Sequence, residues 1–279
     1  MTALALPRQR YSAWRDKLRS IQLGLGARGA LGLGLGRSGV SAAGNGLLNN
    51  LVAYWKLDEA GGANDALDAH TNGLTLTQVS SPGADTGKVY ATARTVDGGA
   101  DYFHRASEAL LQTGNVDFTI AAWVYATLLS STMAIVTKDT TSTGGREYSV
   151  QYHGTPNTFR LAVSNNGTSV TTVDSTVFGT PNINTWYLVV AWHDAVNDFI
   201  GVQCNGAATT KSYSSGVFTG SSNFRVGAFD GLGSARWNGR IGPVMMWKSA
   251  AGGGGVLSAA QRTALFNGGA GLPYSQFTT

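Results

Sequence analysis

Short apolar or alternating segments, separated by turn-forming residues, recur from Leu51 to about residue 250 of this chain. The segments 117–126 and 185–194 are apolar on both faces, which is typical of strands in the middle of a two-layer sandwich. The segments 147–153 and 158–164 alternate between apolar and polar residues, as half-buried strands do. About a dozen strands fit into this span without a linker. We therefore predict a single all-β domain.

The composition of the 279 residues agrees with this prediction and excludes several classes of protein. The hydrophobic fraction of 43% is ample for a core, whereas Glu and Lys, which favour helices, are scarce. The one cysteine, Cys204, cannot form an intrachain disulfide. No apolar run approaches the length of a membrane span, and Pro7 and nearby arginines interrupt any signal peptide. We expect synthesis in a cytoplasm and no membrane partner.

The net charge of +4 is distributed unevenly. Residues 1–50 hold seven basic side chains and one acidic side chain, so the rest of the chain is slightly acidic. A nucleic-acid-binding domain would carry its basic surface on the folded body. We therefore expect no nucleic-acid partner.

Residues 1–22 are predicted to form a basic amphipathic N-terminal helix. Its apolar residues recur at helical spacing, and its basic residues lie largely elsewhere. A helix that docks on another protein, a membrane-surface helix, a transit peptide and a frayed terminus all fit this pattern. We favour docking because of the segment that follows. The candidate assembly contacts are Tyr11, Trp14, Leu18 and Ile21 on the apolar side and Arg15 and Arg19 among the basic residues.

Residues 23–50 are rich in glycine and leucine and are predicted to form an extended arm. The leucines of its first part fall on odd positions, so an extended chain presents all of them on one side. Because so much glycine destabilises an isolated strand, the arm should become ordered only against a neighbour's sheet edge or apolar groove. Two matches to the G-x-G-x-x-G pattern lack the strand and helix that a nucleotide site requires. The candidate contacts are Leu23, Leu25, Leu31, Leu33 and Leu35.

The C-terminal region predicts one short helix. Ser258 and Gln261 form a capping box, and Asn267 with Gly268 ends the helix. The last residues, 272–279, are predicted to form a tail.

Several motifs carry a family resemblance. They occur in the order and spacing of laminin G-like domains of the concanavalin A-like lectin/glucanase superfamily. The motifs are LVAYWKLDEAGG, ATARTVDGGADYF, NVDFTIAAWVYA, TWYLVVAWHDAVNDFIGVQCNG and the stretch from FRVGAFDG to VLSAAQRTALFNGG. The resemblance covers about residues 51–270. It implies a jelly-roll sandwich of two antiparallel sheets, with the strand around Trp55 pairing near the strand around Trp247. We expect this domain over residues 51–279.

The resemblance also implies functions. Family members bind sugars, proteins or other ligands, often with calcium, and laminin G-like domains with unrelated N-terminal anchors resemble those of bacteriophage virion proteins. We expect a structural protein of a virus particle, such as a capsid decoration or tail-fibre component. Its arm would contact other virion proteins and copies of itself, and it would be made in the host cytoplasm. The alternative is a carbohydrate-binding lectin that binds a cell-surface glycan, with calcium as a candidate cofactor.

Catalytic and metal-binding patterns are weak. Glu59, Glu108 and Glu147 are widely separated, so the paired carboxylates of a glycosidase are not expected and we predict no enzyme activity. The aspartates Asp58, Asp65, Asp97 and Asp101 lie on glycine-rich loops and are candidate calcium ligands, although capping of turns explains them as well.

Tryptophans are candidates for stacking on sugars. Trp237 lies beside a turn and is the candidate surface contact for a ligand. The remaining tryptophans of the domain lie in strand motifs and are predicted to belong to the core: Trp55, Trp123, Trp186, Trp192 and Trp247.

Overall fold

The computed structural model describes residues 44–140, 144–231 and 235–279. These residues form fifteen strands and one α-helix, α1 (Ala259–Phe266), followed by short 3-10 helices at Asn267–Gly269 and Tyr274–Gln276. In chain order the strands are β1 (Leu51–Trp55), β2 (Thr77–Val79), β3 (Gly83–Thr86), β4 (Thr92–Asp97), β5 (Tyr102–Arg105), β6 (Asp117–Ala126), β7 (Met133–Lys138), β8 (Tyr148–His153), β9 (Thr158–Val163), β10 (Thr171–Asp174), β11 (Trp186–Asp194), β12 (Phe199–Cys204), β13 (Ala207–Ser212), β14 (Phe224–Val226) and β15 (Asn238–Ser249).

The strands form two antiparallel sheets. The eight-stranded sheet has the order β13-β12-β11-β6-β15-β4-β3, and β1 also pairs with β15. The 12-residue β15 pairs with β4 through its first part and with β1 through its second part, where Leu51 lies opposite Trp247. The seven-stranded sheet has the order β10-β9-β8-β7-β14-β5-β2. The predicted all-β sandwich with one short C-terminal helix is confirmed.

The main core lies between the two sheets. β6 and β11 form the middle of the eight-stranded sheet and contribute Phe118, Ile120, Val189 and Ala191 to this core. Burying such side chains is worth about 1.5–3 kcal/mol each for the larger ones. The double-sided apolar pattern of these two strands has a second cause, because their other face is also covered.

A second apolar cluster covers the outer face of the eight-stranded sheet. Its members include Leu47, Tyr54, Trp247, Leu265 and Phe277. The prediction that the last residues form a tail is wrong, because Phe277 is only 6% exposed and packs against Tyr54 with the ring centroids 5.3 Å apart. The C-terminal segment therefore belongs to the domain.

Residues 44–50, which the sequence pattern placed at the end of the arm, also lie on this covered face. Leu47 is fully buried, and the amide of Leu48 donates to the carbonyl of Thr278 at 3.0 Å. Asn45 and Thr278 exchange hydrogen bonds, which join the start of the described domain to its end. The predictions for the helix 1–22, for the arm up to residue 43 and for their assembly contacts lie outside the described residues.

Helix α1 begins and ends as its sequence predicts. The Ser258 hydroxyl accepts from the amide of Gln261, and the Gln261 side chain accepts from the amide of Ser258. Asn267 adopts a left-handed conformation with φ 49° and ends the helix. Among the described residues, no helix is long and apolar enough to cross a membrane.

Candidate functional site

A groove of about 250 Å³ lies on the outer face of the seven-stranded sheet. Its floor consists of outward-facing side chains of β8 and β9. Its sides come from β10 and the residue before it, from residues that flank β7, from the segment before β8 and from the segment between β14 and β15. The lining residues are Thr132, Asp139, Arg146, Ser149, Gln151, His153, Arg160, Ala162, Val170, Thr172, Phe229 and Ala235. Eight of these twelve residues have polar side chains.

Alternation along two neighbouring strands decides which side chains face the groove. The odd-numbered residues of β8 face it, because the even-numbered residues of that strand are buried in the main core. On β9 the phase is reversed, so Arg160 and Ala162 face the groove while their odd-numbered neighbours are in the core. The alternating sequence of both segments thus produces one polar face above one apolar face.

The antiparallel register brings three polar side chains into a row across β8, β9 and β10. Gln151 lies opposite Arg160, and Arg160 lies opposite Asp174. Arg160 donates from Nε to Asp174 Oδ1 at 2.7 Å and from Nη2 to Asp174 Oδ2 at 3.0 Å. A guanidinium held by two parallel hydrogen bonds is fixed in orientation. This amide, guanidinium and carboxylate row is therefore a prearranged part of the groove.

A second row consists of small side chains and forms the low part of the groove. Ser149 lies opposite Ala162, and Ala162 lies opposite Thr172. Beyond this row stands Arg146, whose Nε is 3.9 Å from Asp139 Oδ1. The small row is thus flanked by two arginine and aspartate pairs.

Two buried side chains in the groove have no hydrogen-bond partner within the described part of the chain. Gln151 is 7% exposed and Ser149 is 1% exposed, yet neither side chain bonds to a described residue. Their polar atoms are not enclosed, since neither is among the buried side-chain atoms that lack a partner, and both residues line the groove. Both are therefore open to a hydrogen bond from water or from a ligand in the groove.

The family follows from a comparison with known families. The family model described as the concanavalin A-like lectin/glucanases superfamily matches residues 97–253, more than half of the chain. The chain belongs to this superfamily. The matched region runs from the end of β4 to just beyond β15 and therefore contains every strand that lines the groove. No curated protein sequence matches the chain.

Solved structures of similar fold include three ligand-binding or accessory domains. Domain 4 of the extracellular arabinanase AbnA from Geobacillus stearothermophilus, in complex with arabinotriose, has 18% identity and a TM-score of 0.54, covering 76% of this chain and 98% of that one. The binding domain of Paraclostridial Mosquitocidal Protein 1 has 12% identity and a TM-score of 0.61, covering 80% of this chain and 53% of that one.

The third is the ligand-binding domain of botulinum neurotoxin serotype D in complex with N-acetylneuraminic acid. It has 10% identity and a TM-score of 0.55, covering 81% of this chain and 52% of that one. The chain spans about half the length of the two toxin structures. At these identities the likeness establishes a shared lectin-like sandwich fold.

Calcium, which superfamily members often bind, is not supported by the positions of its candidate ligands. Among residues 44–140, 144–231 and 235–279, no group of three or more His, Cys, Asp or Glu side chains could hold a metal ion. Asp65 accepts from the amide of Gln78 at 3.0 Å, and Asp97 accepts from the amide of Gly99 at 2.7 Å. The bond of Asp97 spans two residues and is that of a turn-capping aspartate, whereas the bond of Asp65 ties its loop to β2.

The remaining two calcium candidates do not complete a site. Burial raises the pKa of Asp101, and the nearby charge of Asp97 raises it further. Asp58 lies on a separate loop, and its main-chain carbonyl accepts a hydrogen bond from Thr92 Oγ1 at 2.6 Å. Asp58, Asp65, Asp97 and Asp101 therefore do not fit a calcium site.

The prediction for Trp237 is wrong, and the prediction for Trp186 holds only in part. Trp237 is fully buried and is not exposed to a ligand. Its amide donates to the carbonyl of Gly227, and its indole packs in the main core. Trp186 is the one described tryptophan that is partly exposed, although its strand motif predicted a core residue. It packs beside Tyr125, with the ring centroids 5.5 Å apart, and against the second apolar cluster.

The three glutamates occupy separate settings. Glu59 accepts from the amide of Leu67, Glu108 pairs with Arg105, and Glu147 pairs with Lys138 in the interior. Burial raises the pKa of Glu59. None of the three lines the groove.

Sequence reasoning did not find the groove, although part of the signal was present. The alternation of residues 147–153 and 158–164 shows that Ser149 and Gln151 share a face, as do Arg160 and Ala162. The pairing partners of β8 and β9, and the sheet face left uncovered, depend on contacts that are distant in the sequence.

Proposed function

We propose that this chain is a non-enzymatic carbohydrate-binding module whose ligand lies in the groove on β8 and β9. The strongest support is the pair of polar side chains that line the groove and bond to no described residue, Ser149 and Gln151. Sugar hydroxyl groups donate and accept hydrogen bonds, and an amide and a hydroxyl complement both roles. The fixed guanidinium of Arg160 adds donors in a rigid geometry.

The structural neighbours support the same proposal. One of them is described with arabinotriose and another with N-acetylneuraminic acid, so this fold accommodates sugars in other proteins. A purely binding role is proposed because the polar groups of the groove are arranged in rows on a rigid sheet, and the two carboxylates beside it, Asp139 and Asp174, are each paired with an arginine.

Replacing Gln151 by alanine tests this proposal. Because the change removes amide groups that would bond to the sugar, we expect binding of oligosaccharides on a glycan array and by calorimetry to weaken about tenfold. The melting temperature should stay close to that of the wild type, since the amide bonds to no described residue.

Gln276→Ala is the matched control. Gln276 is exposed on the far side of the sandwich, and its carbonyl rather than its side chain accepts from Asn45. The control should bind like the wild type. Equal binding by Gln151→Ala, or binding that disappears on addition of a calcium chelator, would contradict the proposal.

We also propose a structural role in a virus particle, with residues 1–43 as the anchor. The one-sided leucine pattern of the arm favours docking on another subunit. Residues 44–48 lie on the covered face of the eight-stranded sheet, which is opposite the face that carries the groove. The protein would reside in the virion after synthesis in the host cytoplasm.

Deletion of residues 1–43 tests the anchoring role. The described domain keeps Leu47 and its contacts, so the truncated protein should remain folded and soluble. We expect it to be absent from purified particles when it replaces the full-length chain, as measured by mass spectrometry. Normal incorporation of the truncated chain would refute the anchoring role and leave glycan binding untouched.

A further inference from the structure

The cationic side chains of the groove are already neutralised within the protein. Arg160 and Asp174 are joined by two hydrogen bonds, and their side chains are 15% and 21% exposed. At such low exposure the carboxylate compensates the guanidinium charge far more effectively than solvent ions would. The row of Gln151, Arg160 and Asp174 therefore presents hydrogen-bond donors of fixed direction to a ligand and carries no net charge.

The second pair, on the other side of the small row, repeats this arrangement. Arg146 lies 3.9 Å from Asp139, and the Asp139 side chain is only 5% exposed. An acidic group placed on Ser149 and Ala162 would be flanked by two carboxylates as well as by two guanidinium groups. A carboxylate or sulfate ligand would then lose its hydration without meeting a surplus of positive charge.

The groups that are left for a ligand suit hydroxyls. Arg160 Nη1 donates no hydrogen bond to a described residue, and the amide of Gln151 can both donate and accept. Ser149 adds a hydroxyl on the floor of the groove. Neighbouring hydroxyl groups of a neutral sugar satisfy all of these groups, whereas an anion can only accept.

We propose that the groove selects uncharged sugars over acidic ones and that Asp174 and Asp139 set this preference. The inference rests on the proposed carbohydrate-binding function. It names the ligand class as neutral glycans and gives the two aspartates the role of specificity determinants.

The test uses the full-length protein on a glycan array that carries each oligosaccharide in a neutral form and in a sialylated, uronic acid or sulfated form. At pH 8 the wild type should prefer the neutral member of each pair by about tenfold. Its affinity for the neutral form should change by less than about twofold between low and high salt, because no net charge is matched.

Asp174→Asn is the decisive variant, because it keeps an oxygen that accepts from Arg160 while it removes the negative charge. We expect the ratio of acidic to neutral binding to rise about tenfold, with new salt dependence for the acidic glycans. Asp139→Asn should shift the ratio in the same direction and serves as a second variant if Asp174→Asn does not fold. The control Asp85→Asn removes a carboxylate paired with Arg240 on the other sheet and should leave the ratio unchanged.

The outcomes separate the two proposals. Wild-type protein that binds acidic glycans as well as or better than neutral ones would overturn this inference and leave the carbohydrate-binding function standing. Unchanged ratios in both Asp174→Asn and Asp139→Asn would also overturn it. Absence of binding to either class would overturn the carbohydrate-binding function itself.

Discussion

Replacing Lys138 by methionine should lower the free energy of unfolding by about 3–5 kcal/mol. Lys138 and Glu147 are both fully buried, with Nζ 3.1 Å from Oε2. Glu147 also accepts from the hydroxyl of Thr113 at 2.9 Å and from the amide of Gly220 at 2.9 Å. The pair thus fixes two loops against β7 and β8, and removal of the lysine leaves a buried carboxylate without its counter-charge.

Urea denaturation of the purified variant measures this loss. The matched control is Glu108→Gln in the pair with Arg105, where both side chains are about a third exposed and the expected change is below about 1 kcal/mol. The double variant Lys138→Met with Glu147→Leu should cost less than Lys138→Met alone, because no unpaired charge remains. A loss below about 1 kcal/mol for Lys138→Met would show that the pair is not a structural anchor.

Replacing Trp237 by alanine should also lower the free energy of unfolding, by about 3–5 kcal/mol. The indole is fully buried in the main core, and its Nε1 donates to the carbonyl of Arg240 at 3.2 Å. The change creates a cavity between the sheets and removes a partly buried hydrogen bond. Where the variant still folds, its affinity for a glycan should equal that of the wild type, because the side chain does not line the groove.

Trp186→Ala is the matched control for size and chemistry. Trp186 is partly exposed on the outer face of the eight-stranded sheet, so its loss should cost clearly less stability than the loss of Trp237. Calorimetric melting and glycan binding are measured on both variants. Native stability together with lost glycan binding in Trp237→Ala would restore Trp237 as a ligand contact and contradict its place in the core.

The sheet architecture could be predicted from the sequence because its signals are local. Apolar alternation and the capping box at Ser258 act over a few residues, and both appear in the structure where the sequence predicts them. The second apolar cluster was harder to predict. Leu47 and Phe277 are separated by almost the whole chain, and neither flanking sequence has the periodicity that reveals a buried face.

The groove and the tryptophans show where local reasoning fails. Trp237 stands beside a turn, but the chain folds back to Gly227 and buries the indole, which no neighbouring residue indicates. Trp186 begins an apolar strand and packs against the second apolar cluster, but it is only partly buried. The row of Gln151, Arg160 and Asp174 exists only because three strands pair in one register.

The central claim is that the outward face of β8 and β9 binds a sugar. It is tested most directly by titrating isotope-labelled protein with the neutral oligosaccharide that binds most tightly on the array, while backbone amide shifts are recorded by NMR. We predict that the largest shifts fall on Ser149, Gln151, Arg160 and Ala162, and that the amides of the eight-stranded sheet, including those beside Trp186, stay unchanged. Shifts confined to the eight-stranded sheet or to its covering segments would place the ligand elsewhere and contradict the account.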